Sequence, residues 1–97
     1  MELVNHPDHY NLPNRKECIV EMREKYGTKI AVMFCLTNAY KYLYRAGNKY
    51  NVPESQDIEK AKWYFNWVQA HESSIIGASS IKLYRDVQKE LKKYDKS

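Results

Sequence analysis

The chain has 97 residues, a formal charge of +4 at pH 7 and a sequence pI of about 9.0. That length suits a single domain with a modest core, since a chain of this size buries only about two-thirds of its unfolded surface. No stretch approaches the ~18 apolar residues of a membrane helix, which excludes a membrane span. The charge favours an anionic partner over a cationic one. Much of the excess sits at Lys89, Lys92, Lys93 and Lys96, where a solvated helix end explains it, so nucleic acid ranks below small phosphate-bearing ligands. Nine tyrosines and two tryptophans supply apolar bulk with polar tips, suited to cores, interfaces and base-stacking surfaces alike.

In chain order, residues 1–13 hold prolines, histidines and asparagines and read as an irregular arm without the charged and apolar runs of a signal peptide. Asn14 with Glu17 resembles an N-cap and its capping-box partner. Cys18, Ile19, Met22 and Tyr26 then fall at helical spacing, and Gly27 is the expected stop. Thr28 is the expected cap of a second helix over residues 29–46. Ile30, Met33, Phe34, Thr37, Tyr40 and Tyr44 form one of its stripes, and Val32, Leu36, Ala39 and Leu43 another. A helix apolar around so much of its circumference belongs at the centre of a fold or in an oligomer. After a loop at 47–54, Ser55 is the expected cap of a third helix running to Ala70, with Ile58, Ala61, Tyr64, Phe65 and Val68 inward. Residues 71–80 read as a loop. Tyr84, Val87, Leu91 and Tyr94 mark a last helix over 81–94. The fold expected is all-α, a bundle of about four helices forming one domain over 1–97, assembled as a homo-oligomer. Cys18 and Cys35 lack CxxC spacing and lie in apolar patterns. They are expected as buried free thiols in a reducing compartment, which places the chain in the cytoplasm.

Asn38, Lys41, Tyr42 and Arg45 share one face of the second helix. Lys41 and Arg45 lie one turn apart and repel slightly, so an anion bridging them gains. A point charge beside a planar fork suits phosphate. The competing reading pairs both cations with Asp57 or Glu59 across a helical hairpin. The phosphate reading therefore requires that they lack acidic neighbours. On the third helix, Asp57 suits the helix dipole, Lys60 and Lys62 flank it, and Trp63 and Trp67, four apart, serve as core, oligomer seam or base platform. His6, Asp8 and His9 in the arm can ligate metal, but their spacing does not enforce convergence, and no metal is assigned. His71 is given no role. No phosphate loop, GxGxxG, GxSxG or HExxH motif is present.

Three blocks, VNHPDHY (4–10) with ECI (17–19), FCLTNAYKYLYRAGNK (34–49) and DIEKAKWYF (57–65), resemble the SaV-like group of small tailed-phage proteins, often labelled nucleotide kinases. The resemblance spans residues 4–65. It implies a nucleotide-related ligand, and it marks His6, His9, Tyr10, Asn38, Lys41, Tyr42, Arg45, Lys49, Asp57, Lys60 and Trp63 as motif positions. The leading expectation is a nucleotide-binding phage protein of the infected host's cytoplasm. Lys41, Arg45 and Lys49 would hold phosphate, and the other motif residues would contact or orient the base. Such a protein could sequester a nucleotide signal of host defence. The alternatives are a deoxynucleoside monophosphate kinase without a phosphate loop, which alone would use Mg²⁺ and ATP as cofactors, and a module that inhibits a host protein.

Overall fold

A computed structural model describes residues 17–95. These residues form four helices: α1 (Cys18–Tyr26), α2 (Thr28–Arg45), α3 (Glu54–Ala70) and α4 (Ala78–Lys92), with a single 3₁₀ turn at Glu72–Ser74 between the last two. There is no strand among them, and the all-α expectation is met. No helix of the described residues is long and apolar enough to cross a membrane.

α2 is the hub, packing against α1, α3 and α4. Its Ala31, Val32, Cys35, Leu36, Ala39 and Tyr42 are buried. They form one cluster with Ala61, Tyr64, Phe65 and Val68 of α3, Ile19 of α1, and Val87 and Leu91 of α4. Of the two apolar stripes read along α2, the one through Val32, Leu36 and Ala39 faces the core. The other leaves Ile30, Tyr40 and Tyr44 exposed. Aromatic rings fix the centre: Tyr42 stacks on Tyr64 at 5.8 Å between centroids, and Phe34 meets Tyr64 edge-on at 6.0 Å. Such pairs add to the burial of their area.

The helix starts differ from expectation. Asn14 lies outside the described residues; Glu17 occupies the N-cap of α1, with no side-chain cap bond. Thr28 is the first residue of α2, because Gly27, at φ 99°, makes the reversal between α1 and α2 and so takes the cap position. Ser55 lies inside α3. The cap is Pro53, whose extended backbone leads into the helix as its carbonyl accepts from the Gln56 amide at 3.1 Å. Likewise α4 begins at Ala78 rather than 81, since Gly77 at φ 91° completes the turn and frees Ala78 to Ser80 to be helical. Ser80 then donates to the Met33 sulfur at 3.4 Å, docking the start of α4 on α2.

The two cysteines differ. Cys35 is buried, as expected, and burial pushes its thiol up to about 12. Cys18 is exposed, because α1 is short and Ile19 is its one buried residue.

Candidate functional site

The residues singled out on α2 and α3 meet where the two helices lie side by side. Arg45, in the last turn of α2, reaches Asp57 in the first turn of α3 and donates from Nη2 to Oδ1 at 2.8 Å. The Asp57 side chain is completely buried, whereas 28% of that of Arg45 is exposed. The short loop at 46–53 makes this pairing possible. Gly47 turns at φ 77°, the Asn48 amide donates to the Arg45 carbonyl at 2.8 Å, and Asn51 takes a left-handed φ of 64°. The Arg45 guanidinium holds its proton more tightly than usual, chiefly through this hydrogen bond to Asp57. Two buried atoms of the pair, Arg45 Nε and Asp57 Oδ2, make no hydrogen bond.

The requirement that both cations lack acidic neighbours is thus not met at Arg45. Lys41 is different. Its Nζ lies over the Tyr42 ring at 4.8 Å from the centroid, with Arg45 Cζ at 4.9 Å and Lys60 Nζ at 5.4 Å. Neither Lys41 nor Lys60 forms an ion pair with a carboxylate among the described residues. Three cations therefore converge on one tyrosine, with one buried carboxylate paired to one of them. The ring's negative face offsets part of their mutual repulsion.

Asn38 points its amide back along its own helix, donating to the Phe34 carbonyl at 2.8 Å. Its amide thus satisfies a carbonyl of its own helix. Lys49 is exposed in the α2–α3 loop. Trp63 is half-buried and meets Tyr64 edge-on at 5.0 Å. Trp67 also packs on the core, and its ring stacks on His71 at 3.9 Å. Lys62 pairs loosely with Glu59 at 3.9 Å. His6, Asp8, His9 and Tyr10 lie outside the described residues.

Sequence reasoning missed His71. Its Nδ1 lies 2.9 Å from the Trp67 carbonyl and its Nε2 3.3 Å from Arg23 Nη1. A carbonyl can only accept and a guanidinium can only donate. The partners suit a ring that donates from Nδ1 and accepts at Nε2, and it ties the end of α3 to α1. Its place four residues after Trp67 was the available signal. Tyr84, one of the residues that mark the last helix, donates its hydroxyl to Glu72, and burial with that bond raises its proton affinity.

A family described as proteins of unknown function, DUF3310, matches residues 4–66. The chain belongs to the DUF3310 family. The matched span takes in the three sequence blocks and, among the described residues, α1, α2 and most of α3, hence the whole Tyr42 cluster. α4 lies beyond it. No curated protein and no solved structure matches the chain.

Proposed function

We propose that this DUF3310 protein binds a nucleotide through the cationic cluster around Tyr42, with Lys41 and Lys60 as the phosphate contacts. The observation that carries the reading is the convergence of Lys41, Arg45 and Lys60 within 5.4 Å of one ring while a single carboxylate neutralises one of them. Asp57 takes one N–H of Arg45, so Arg45 acts first as a structural strut. Only its exposed edge is offered to an anion, and Lys60 takes a larger share than the sequence suggested. Lys49, on the adjoining loop, is positioned by sequence to extend the contact along a polyphosphate. The resemblance to the SaV-like phage group directs the choice of anion to a nucleotide. Sequestration of a host-defence nucleotide is the use such a site has without catalysis.

Isothermal titration with a panel of mono-, di- and cyclic nucleotides tests this. Binding tighter than ~100 μM, about 5.5 kcal/mol, is expected for at least one of them. Lys41→Ala and Lys60→Ala should each weaken it while leaving the helical signal unchanged. No heat with any nucleotide overturns the proposal. The kinase reading separates from it cleanly: incubation with ATP, Mg²⁺ and each deoxynucleoside monophosphate gives product only if the chain is an enzyme.

A further inference from the structure

The outer face of α2 carries Ile30, Thr37, Tyr40 and Tyr44, with the half-buried Met33 at its edge, and the steps from Ile30 through Met33, Thr37 and Tyr40 to Tyr44 are three, four, three and four residues. That is the alternation of a coiled-coil seam. At 100° per residue it lies nearly opposite the buried face through Ala31, Cys35, Leu36, Ala39 and Tyr42. Ile30, Tyr40 and Tyr44 are 53%, 52% and 77% exposed. Thr37, the one polar member, turns its hydroxyl inward to its own helix, donating to the Met33 and Phe34 carbonyls at 2.9 and 3.0 Å. What it presents outward is a methyl group. The stripe runs about 21 Å along the helix and carries no charge. Single exposed apolar residues need no explanation, but an aligned row of this length does.

We infer that the chain self-associates through this face, α2 packing antiparallel against α2 of a second copy about a two-fold axis near Thr37. Two features select that occupant and that direction. The first is size. Antiparallel pairing about Thr37 sets Ile30 of one copy against Tyr44 of the other, Phe34 against Tyr40, and Thr37 against itself. Tyr44, the most exposed ring of the stripe, then meets the smaller Ile30 at each end of the seam. Parallel pairing instead crowds four tyrosines at one end. The second is charge. A groove of about 240 Å³ opens beside the C-terminal half of the stripe, lined by Tyr40, Leu43, Tyr44, Val87 and the carboxylates Asp86 and Glu90. The antiparallel dyad brings the other copy's Ile30 to this groove and places its Lys29 on the same side as Asp86 and Glu90. Lys29 is exposed and has no carboxylate partner among the described residues. Asp86 and Glu90 hold exposed partners on their own helix, Lys82 at 2.9 Å and Lys93 at 3.1 Å. Such surface pairs are weak and exchange readily. Parallel pairing would instead leave Lys29 at the opposite end of the seam from Asp86 and Glu90. The inference does not rest on the nucleotide reading: Lys41 lies at the edge of the seam, but mass and cross-linking are read without nucleotide, so either reading can fail alone.

Light scattering on the full chain, from micromolar to submillimolar concentration, is expected to give twice the 11.6 kDa chain mass, or an even multiple of it. Tyr44→Glu should raise the dissociation constant by at least about tenfold with an unchanged helical circular dichroism spectrum. A mass of one chain throughout, or an assembly indifferent to Tyr44→Glu, overturns the inference. Direction is read by disulfide trapping in a Cys18→Ser background. An equimolar mixture of Ile30→Cys and Tyr44→Cys chains should cross-link as the mixed pair. Cross-linking of Tyr44→Cys chains to themselves, with no mixed product, overturns the antiparallel arrangement.

Discussion

The Arg45–Asp57 pair should respond asymmetrically to removal of its two halves. Asp57 is completely buried and accepts its one side-chain hydrogen bond from Arg45. Arg45→Met leaves an ionised carboxylate sealed in the α2–α3 seam with no partner. Losing one member of a buried pair in this way costs roughly 3–5 kcal/mol. Asp57→Asn is milder. The amide keeps the shape and an acceptor oxygen, and the guanidinium, with 28% of its side chain already in solvent, can turn toward water. The expected cost is about 1–2 kcal/mol, that of a charge-assisted bond replaced by a neutral one. The difference of about 2 kcal/mol corresponds to roughly 10 °C in Tm for a domain this small. Urea unfolding followed at 222 nm, with Trp63 and Trp67 fluorescence as a second probe, measures both. Arg45→Met/Asp57→Leu removes both charges and should recover most of the Arg45→Met loss, because a buried pair replaced by apolar groups is often neutral. Equal costs for the two single variants, or a double variant as unstable as Arg45→Met, would refute the claim that Asp57 depends on Arg45. The asymmetry also matters for function: loss of nucleotide binding in an Arg45 variant mixes folding with contact, whereas Lys41 and Lys60 variants do not.

At mildly alkaline pH, Ellman's reagent should modify Cys18 at once and Cys35 only after unfolding. With the Cys35 thiol raised from about 9.0 to about 12, the unfolded chain loses that proton first. Stability is therefore complete below pH 9 and falls between pH 9 and 12, by up to about 4 kcal/mol; Cys35→Ala should flatten this slope in alkaline urea titrations. Leu36→Ala, at a fully buried position, should lower unfolding free energy by roughly 2–5 kcal/mol, whereas Ile30→Ala should leave the stability of the isolated chain within about 0.5 kcal/mol. His71→Phe keeps a ring against Trp67 but loses both hydrogen bonds of the imidazole. It should cost about 1–2 kcal/mol and speed amide exchange in α1 more than in α3.

The number, order and approximate span of the helices were legible from the sequence, because apolar residues recur at helical spacing and glycine marks the breaks at 27 and 47. Helix starts were not. Thr28 and Ser55 are good capping residues, yet the tight turns at Gly27 and Pro53 had already determined where each helix begins. The sequence also showed α2 apolar on two faces and named Lys41, Arg45, Asp57 and Lys60 as residues of one site. Which face is core was decided by the tertiary structure, since burial depends on where α1, α3 and α4 dock. So was the partner of each cation. Spacing put Lys41 and Arg45 on one helix face, but only the packing of α3 against it delivers a buried carboxylate to Arg45 and leaves Lys41 above the Tyr42 ring. Charge pairing across helices is a matter of distance in space, and the helical period carries no information about the neighbouring helix.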